Sequence, residues 1–201
     1  MARIIKETVR GLDLVELEDE LLQNREIFLT ETVDANTTNE LIKQLMYLEM
    51  QDDEAEITLY INSPGGEVTS GLAVYDYMTM MKAPIRTVSI GTAASMGAIL
   101  FLAGDKRQML PHTRIMIHDP SYSNANMSGK KSHEIQHELD KLNETREITA
   151  KIIAEKTGKS LEEVYKVTAD DTYYNAEEAV EFGLATEIIN AKELRKRGTR
   201  K

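Results

Sequence analysis

The hydrophobic pattern changes period several times along the chain. Residues 57–61 (ITLYI) form a short β-rich run that ends in the turn sequence 62–66 (NSPGG), which predicts a strand and its exit. Upstream, 24–33 (NREIFLTETV) reads as another strand. Residues 37–50 (TTNELIKQLMYLEM) read as a helix, because Leu41, Ile42, Leu45 and Leu48 share one face. A further helix is predicted from Val68 to Met81; it stops before Pro84, since proline disfavours helical geometry in the residue ahead of it. Residues 85–90 (IRTVSI) read as a strand that Gly91 breaks before a helix beginning near Ser95. Short strands follow at 107–110 (RQML) and 114–118 (RIMIH). A long helix from about Ser132 to Lys156 closes at Thr157-Gly158, and 160–163 (SLEE) and 175–178 (NAEE) have capping-box spacing. Strands alternating with helices, without linker, repeat or low-complexity segment, predict one α/β domain with parallel pairing.

Composition narrows the chemistry. A chain of 201 residues is long enough for one well-cored domain and short for two. It contains no cysteine, which excludes disulfides, zinc–thiolate sites and cysteine nucleophiles. The formal charge of −10 argues against nucleic-acid binding, which needs a basic face. The exception is the tail 192–201, with six basic residues and one acidic, read as a solvated end. The first residues, MARIIKETVRG, carry charges too early for a secretory signal. The longest apolar run, GTAASMGAILFLAG, is too short and too rich in small residues to span a bilayer. A soluble, cytoplasmic protein is therefore expected, with no membrane partner.

Two turns carry the candidate chemistry. NSPGGEV and GTAASMGA each follow a β-rich run and open a helix. Gly65 and Gly66 permit a sharp turn and unhindered N–H groups. Ser95 lies among Ala93, Ala94, Gly97 and Ala98, so its hydroxyl is uncovered, and unpaired N–H groups of the helix start are available to an oxyanion. Without a partner, the same pattern describes a small-residue helix packed on a sheet. A serine nucleophile needs a base, and only His112, His118, His133 and His137 exist; His118 falls at a strand end. An orienting carboxylate cannot be chosen by spacing among 34 acidic residues.

LYINSPGGEV, GTAASMGAILFLAG, RIMIHDP and YYNAEEAVEFGLATEI, in that order, together resemble the proteolytic subunit of the ATP-dependent Clp protease. The resemblance runs from about Ile27 to Ile189, with a weaker match at IKETVRG. It implies a crotonase/Clp-protease-like spiral of β-β-α units with a protruding handle helix at about 132–156. It further implies an N-terminal gate segment and first helix at 1–26, a protease domain at 27–191 and the basic tail beyond. By the same resemblance Ser95, His118 and Asp171 form a catalytic triad, and the N–H groups of Gly66 and Met96 an oxyanion hole. Gly65, Val68, Pro120 and Ser121 are implied to bind substrate. The expected activity is hydrolysis of unfolded polypeptides inside heptameric rings stacked as a tetradecamer, fed by an AAA+ Clp ATPase. No metal or organic cofactor is implied, and the chain has no G-x-x-x-x-G-K-[ST] phosphate loop, so ATP would be used only by the partner.

Some positions depart from the family pattern. Asp170 stands where relatives often carry an arginine that pairs across rings, and SYSNANMSGKK replaces a glycine-rich stretch after Pro120. Thr58 and Gln108 stand where relatives usually place docking aromatics, although Tyr60 and Ile189 remain apolar. These differences motivate an alternative: a phage-type maturation protease of the same fold acting without an ATPase. A crotonase-type acyl-CoA enzyme and a non-catalytic ring component are less well matched, because serine, histidine and aspartate are all present.

Residues 133–137 (HEIQH) also match the H-E-x-x-H signature of zinc proteases, with Glu134 as base. No histidine follows His137, so a downstream carboxylate such as Glu155 would have to complete the site. The two histidines instead fall beside the stripe Ile135, Leu139, Leu142, Thr149, Ile152 and Ile153, as polar neighbours on an amphipathic helix. Peptidase activity is accordingly expected to survive treatment with a metal chelator. Activity that is lost to the chelator and restored by zinc would return the chemistry to HEIQH.

Overall fold

The computed structural model describes residues 2–9, 11–122 and 129–190; the basic tail and most of the SYSNANMSGKK stretch lie outside these. The chain opens with an antiparallel hairpin, β1 (Arg3–Thr8) and β2 (Gly11–Glu16), followed by helix α1 (Leu17–Gln23). Ile5, Leu12 and Leu14 of the hairpin are exposed, so no burial period marked it in the sequence. The main body alternates β3 (Glu26–Leu29), α2 (Ala35–Gln51), β4 (Ile57–Ser63), α3 (Val68–Met80), β5 (Ile85–Ala94) and α4 (Met96–Leu102). Then come β6 (Lys106–Met109), β7 (Arg114–Ile117), α5 (Ser132–Thr157), α6 (Leu161–Thr168), β8 (Thr172–Tyr174), α7 (Ala176–Phe182) and β9 (Glu187–Ile188). This is the expected α/β architecture.

One seven-stranded sheet organises these elements in the order β3-β4-β5-β6-β9, with β7 pairing both β5 and β8. All pairings in it are parallel except β7 with β8. On its edge away from β4, strand β5 serves two neighbours: residues 86–89 pair with β6 and residues 92–94 with β7. The sheet therefore divides at β5 and turns toward β7.

Two boundaries differ from the sequence reading, each for a tertiary reason. The strand expected over 24–33 ends at Leu29, and Val33 instead makes an isolated parallel bridge to Gly66. Gly91 does not break β5. A side chain there would collide with the Asn62 amide, whose Oδ1 accepts a hydrogen bond from Thr92 N–H at 2.9 Å. Asn62 thus replaces a ladder bond where the β4–β5 register shifts between Ile61 and Ser63, and the strand continues.

The core lies between the sheet and helices α2 to α4. Every residue of α4 is buried, as expected for a helix that is apolar all round. Leu41, Leu45 and Leu48 supply the buried face of α2, as its periodicity predicts. The capping boxes form at Ser160–Glu163 and Asn175–Glu178, and Gly158 ends α5 in the left-handed region with φ 73°. Along α5 the apolar stripe is only partly covered: Thr149 and Ile153 are buried, whereas Ile135 and Leu139 are exposed on the chain by itself.

Arg25 ties the end of α2 to the start of β4. Its guanidinium donates to the carbonyls of Leu48, Asp52, Ala55 and Glu56 at 2.9 to 3.3 Å, from a backbone with φ 62°. Hydrogen bonds from a charged donor contribute more than neutral ones, and one of these carbonyls, Asp52 O at the C-cap of α2, has no acceptor role within the helix. Arg25→Ala is expected to lower unfolding stability by about 2 kcal/mol in urea titrations. A change below about 0.5 kcal/mol would show that water replaces the guanidinium without loss.

Candidate active site

Strand register brings the chemically relevant residues together. In the parallel β5–β7 pair, Thr92 faces Arg114, Ala93 faces Ile115 and Ala94 faces Met116. One and two steps further, past the carboxyl ends of both strands, come Ser95 and His118. In the antiparallel β7–β8 pair, Ile117 faces Thr172, so the next pair outward is His118 with Asp171. Carboxyl ends of strands are where open α/β sheets present ligand-binding groups.

The side chains complete a continuous relay. His118 Nε2 lies 2.9 Å from Ser95 Oγ, and Nδ1 lies 2.8 Å from Asp171 Oδ1. An ionised carboxylate can only accept, so Nδ1 carries the proton and Nε2 accepts from the serine hydroxyl. The His118 side chain is 25% exposed and that of Asp171 60%. Asp171 is therefore well solvated in the isolated chain, and its attraction for an imidazolium is screened there.

Ser95 occupies an unusual backbone conformation, φ 52° and ψ −120°, at the sharp turn from β5 into α4. Such a conformation costs on the order of 1–3 kcal/mol for a residue with a side chain and persists only where the surroundings impose it. Its N–H donates to Met116 O at 2.9 Å, and its carbonyl accepts from Ala98 N–H and Ile99 N–H at 2.9 and 3.2 Å. Gly65 closes the other side. A Cβ there would lie 2.6 Å from Ala94 O and 2.8 Å from both Met96 N and Ser95 Cβ, with φ already +89°. The glycine turn and the serine turn are packed backbone to backbone.

The same packing orients two N–H groups. Val33 takes the Gly65 carbonyl and the Glu67 N–H, at 2.9 and 2.8 Å. The Gly66 N–H shares a trans peptide with the Gly65 carbonyl, so it points away from Val33. Met96 is the first residue of α4, so its N–H has no acceptor within the helix.

Beside Ser95 and His118 is an apolar pocket, lined further by Val68, Met96, Ile99, Ile117, Pro120, Thr149 and Ile153. Of the residues expected to bind substrate, Val68 and Pro120 line it. Gly65 lies under the Ser95 turn instead, and Ser121 is exposed and is not part of the lining. The sequence reading missed Ile99, Ile117, Thr149 and Ile153. Ile99 follows Ser95 by one helical turn, a spacing that marks it as a neighbour; Thr149 and Ile153 belong to the α5 stripe, whose spacing does not say what it covers. His133 and His137 lie on exposed surface of α5, away from this lining. Among the described residues, no three His, Asp or Glu side chains converge as a metal-binding group. None of the described helices is long and apolar enough to cross a membrane.

The departures noted at the docking positions have structural partners. Thr58 is buried and accepts from the Arg86 guanidinium, and Gln108 donates to Glu187 at 2.8 Å. Tyr60 stacks on Phe28 with ring centroids 4.8 Å apart, and Phe28 is exposed.

Serine, imidazole and carboxylate in line, beside an apolar pocket, form an arrangement suited to acyl transfer. A family model for Clp protease matches residues 10–192, a span that contains every one of these groups. On that match, and on an α/β fold of the kind its motifs imply, the chain belongs to the Clp protease family.

Proposed function

We propose that the protein is a serine endopeptidase acting through Ser95, His118 and Asp171. The observation that carries this reading is the unbroken hydrogen-bond relay from Ser95 Oγ through the His118 ring to Asp171. His118 Nε2 accepts the hydroxyl proton as Ser95 Oγ attacks the scissile carbonyl. Asp171 holds the imidazole with its proton on Nδ1 and stabilises the imidazolium. The developing oxyanion takes hydrogen bonds from Gly66 N–H and Met96 N–H, and one such donor contributes on the order of 3 kcal/mol to lowering the barrier. His118 then returns its proton to the leaving amine, and a water molecule, activated by the same imidazole, releases the acyl group from Ser95. The pocket beside Ser95 suits an apolar substrate side chain, because Val68, Met96, Ile99, Ile117 and Ile153 line it.

The reading extends to an assembly of heptameric rings, stacked as a tetradecamer and fed with unfolded chains by an AAA+ ATPase. Exposed Ile135 and Leu139 on α5, and Ile5, Leu12 and Leu14 on the N-terminal hairpin, support burial against other chains. The alternative, a maturation protease of the same fold that needs no ATPase, draws on the polar pairing of Thr58 and Gln108. Pull-down with Clp unfoldases separates the two.

Ser95→Ala and His118→Ala are each expected to lower kcat for a fluorogenic peptide by at least about 10³-fold with KM little changed. Activity surviving Ser95→Ala would contradict the nucleophile assignment. Gly65→Ala adds a Cβ against the Ser95 turn and is expected to reduce both thermal stability and activity; wild-type values for both would show that the turn yields without consequence.

A further inference from the structure

The residue after the candidate base is bound on three sides. Asp119 N–H donates to Thr168 O at 2.6 Å, and Asp119 Oδ1 accepts from Thr168 Oγ1 at 2.6 Å. Its second oxygen, Oδ2, lies 2.6 Å from Arg146 Nε as an ion pair. Arg146 projects from α5, and its guanidinium also covers the Tyr165 ring of α6, 4.4 Å from the centroid. Thr168 is buried, ends α6 and stands three residues before Asp171.

Asp119 therefore links three segments that meet at the relay. Covalently it follows His118, and through Thr168 it holds the segment that delivers Asp171. Through Arg146 it holds α5 one turn before Thr149, which lines the pocket. The β7–β8 ladder is only three pairs long, ending at Ile117 and Thr172, so both His118 and Asp171 lie beyond its last pair. Thr172 Oγ1 bonding Val167 O at 2.6 Å tightens the turn between α6 and β8, but it does not reach across to the His118 side. Apart from the His118–Asp171 bond itself, the Asp119–Thr168 pair of bonds continues the connection past the ladder.

We propose that Asp119 is a positioning residue that sets the separation of His118 from Asp171, with Thr168 and Arg146 as its partners. This rests on the serine-peptidase reading of the site. The Asp119 carboxylate does not touch the reacting atoms. It fixes the strand end that carries the base against the segment that carries its orienting carboxylate. The Thr168 hydroxyl is the directional partner, and Arg146 compensates the charge of a carboxylate that is only 26% exposed. Thr168→Val keeps the volume and removes the donor, leaving Oδ1 unpaired; Thr168→Ser keeps the donor.

The test uses the full-length assembled protein, a fluorophosphonate probe and a small fluorogenic peptide. In the wild type the probe is expected on Ser95. Asp119→Asn and Thr168→Val should each slow labelling and lower kcat by about tenfold to a hundredfold, the range for slight misplacement of a reacting group, with KM within about twofold. Thr168→Ser should recover most of the rate. Arg146→Gln, at a partly exposed site where folding is least at risk, should lower kcat in the same sense by a smaller factor. Wild-type protein that does not label on Ser95 overturns the serine-peptidase reading and this inference with it. Labelled wild type with Asp119→Asn and Thr168→Val labelled within about twofold of it overturns this inference alone. So does a loss in Thr168→Val that Thr168→Ser fails to recover, which would mark the site as one of packing.

Discussion

The site depends on the register of one short strand. β7 is held parallel to β5 on one edge and antiparallel to β8 on the other. A shift of one residue in either ladder would turn each facing side chain to the opposite side of the sheet. A slip against β5 would take His118 from Ser95, and a slip against β8 would take it from Asp171. Four residues of β7, three of them buried, thus fix the geometry of a relay drawn from segments far apart in sequence. Burial of Ile115 and Ile117 makes slippage costly, since exposing either would forfeit about 1.5–3 kcal/mol.

The surrounding structure maintains what this register creates. Ser95 sits in a disfavoured backbone region because β5 must end and α4 begin within a single residue. The bond to Met116 O fixes the serine on the β7 side, and the close approach of Gly65 fixes it on the β4 side. The all-apolar α4 anchors the far end of the turn in the core. Pulling Ser95 into a relaxed conformation would move buried residues of that helix. Strain at the serine is therefore supported by packing, and the hydroxyl remains presented to His118.

Much of this was legible in the sequence where the signal is local. Helix α2 announced itself by the spacing of Leu41, Leu45 and Leu48, and α6 and α7 by their capping boxes. Ser95 among small residues and His118 at a strand end were marked as candidates from the residues themselves. Asp171 was not, since 34 acidic residues gave spacing nothing to choose by; the resemblance of whole motifs selected it. The register that faces it toward His118 belongs to a three-residue strand, too short for a period to appear. Gly91 misled for a related reason: whether a glycine breaks a strand or makes room in one depends on Asn62, a tertiary neighbour. The N-terminal hairpin escaped because it forms a separate two-stranded sheet in which Ile5, Leu12 and Leu14 are exposed and, of its apolar residues, only Ile4 and Val15 are partly covered. The pocket residues Thr149 and Ile153 lay in plain view on α5, but nothing in a helical stripe says which neighbour it covers.

The most direct test of the account is a crystal structure of the protein with a peptide boronate bound. A bond from Ser95 Oγ to boron is expected, with one boronate oxygen within hydrogen-bond reach of both Gly66 N–H and Met96 N–H. His118 should stay between Ser95 and Asp171, and the inhibitor's first side chain should enter the pocket lined by Val68, Ile99 and Ile153. A boronate held elsewhere, or bonded to Ser95 with its oxygens turned away from both amides, would contradict it.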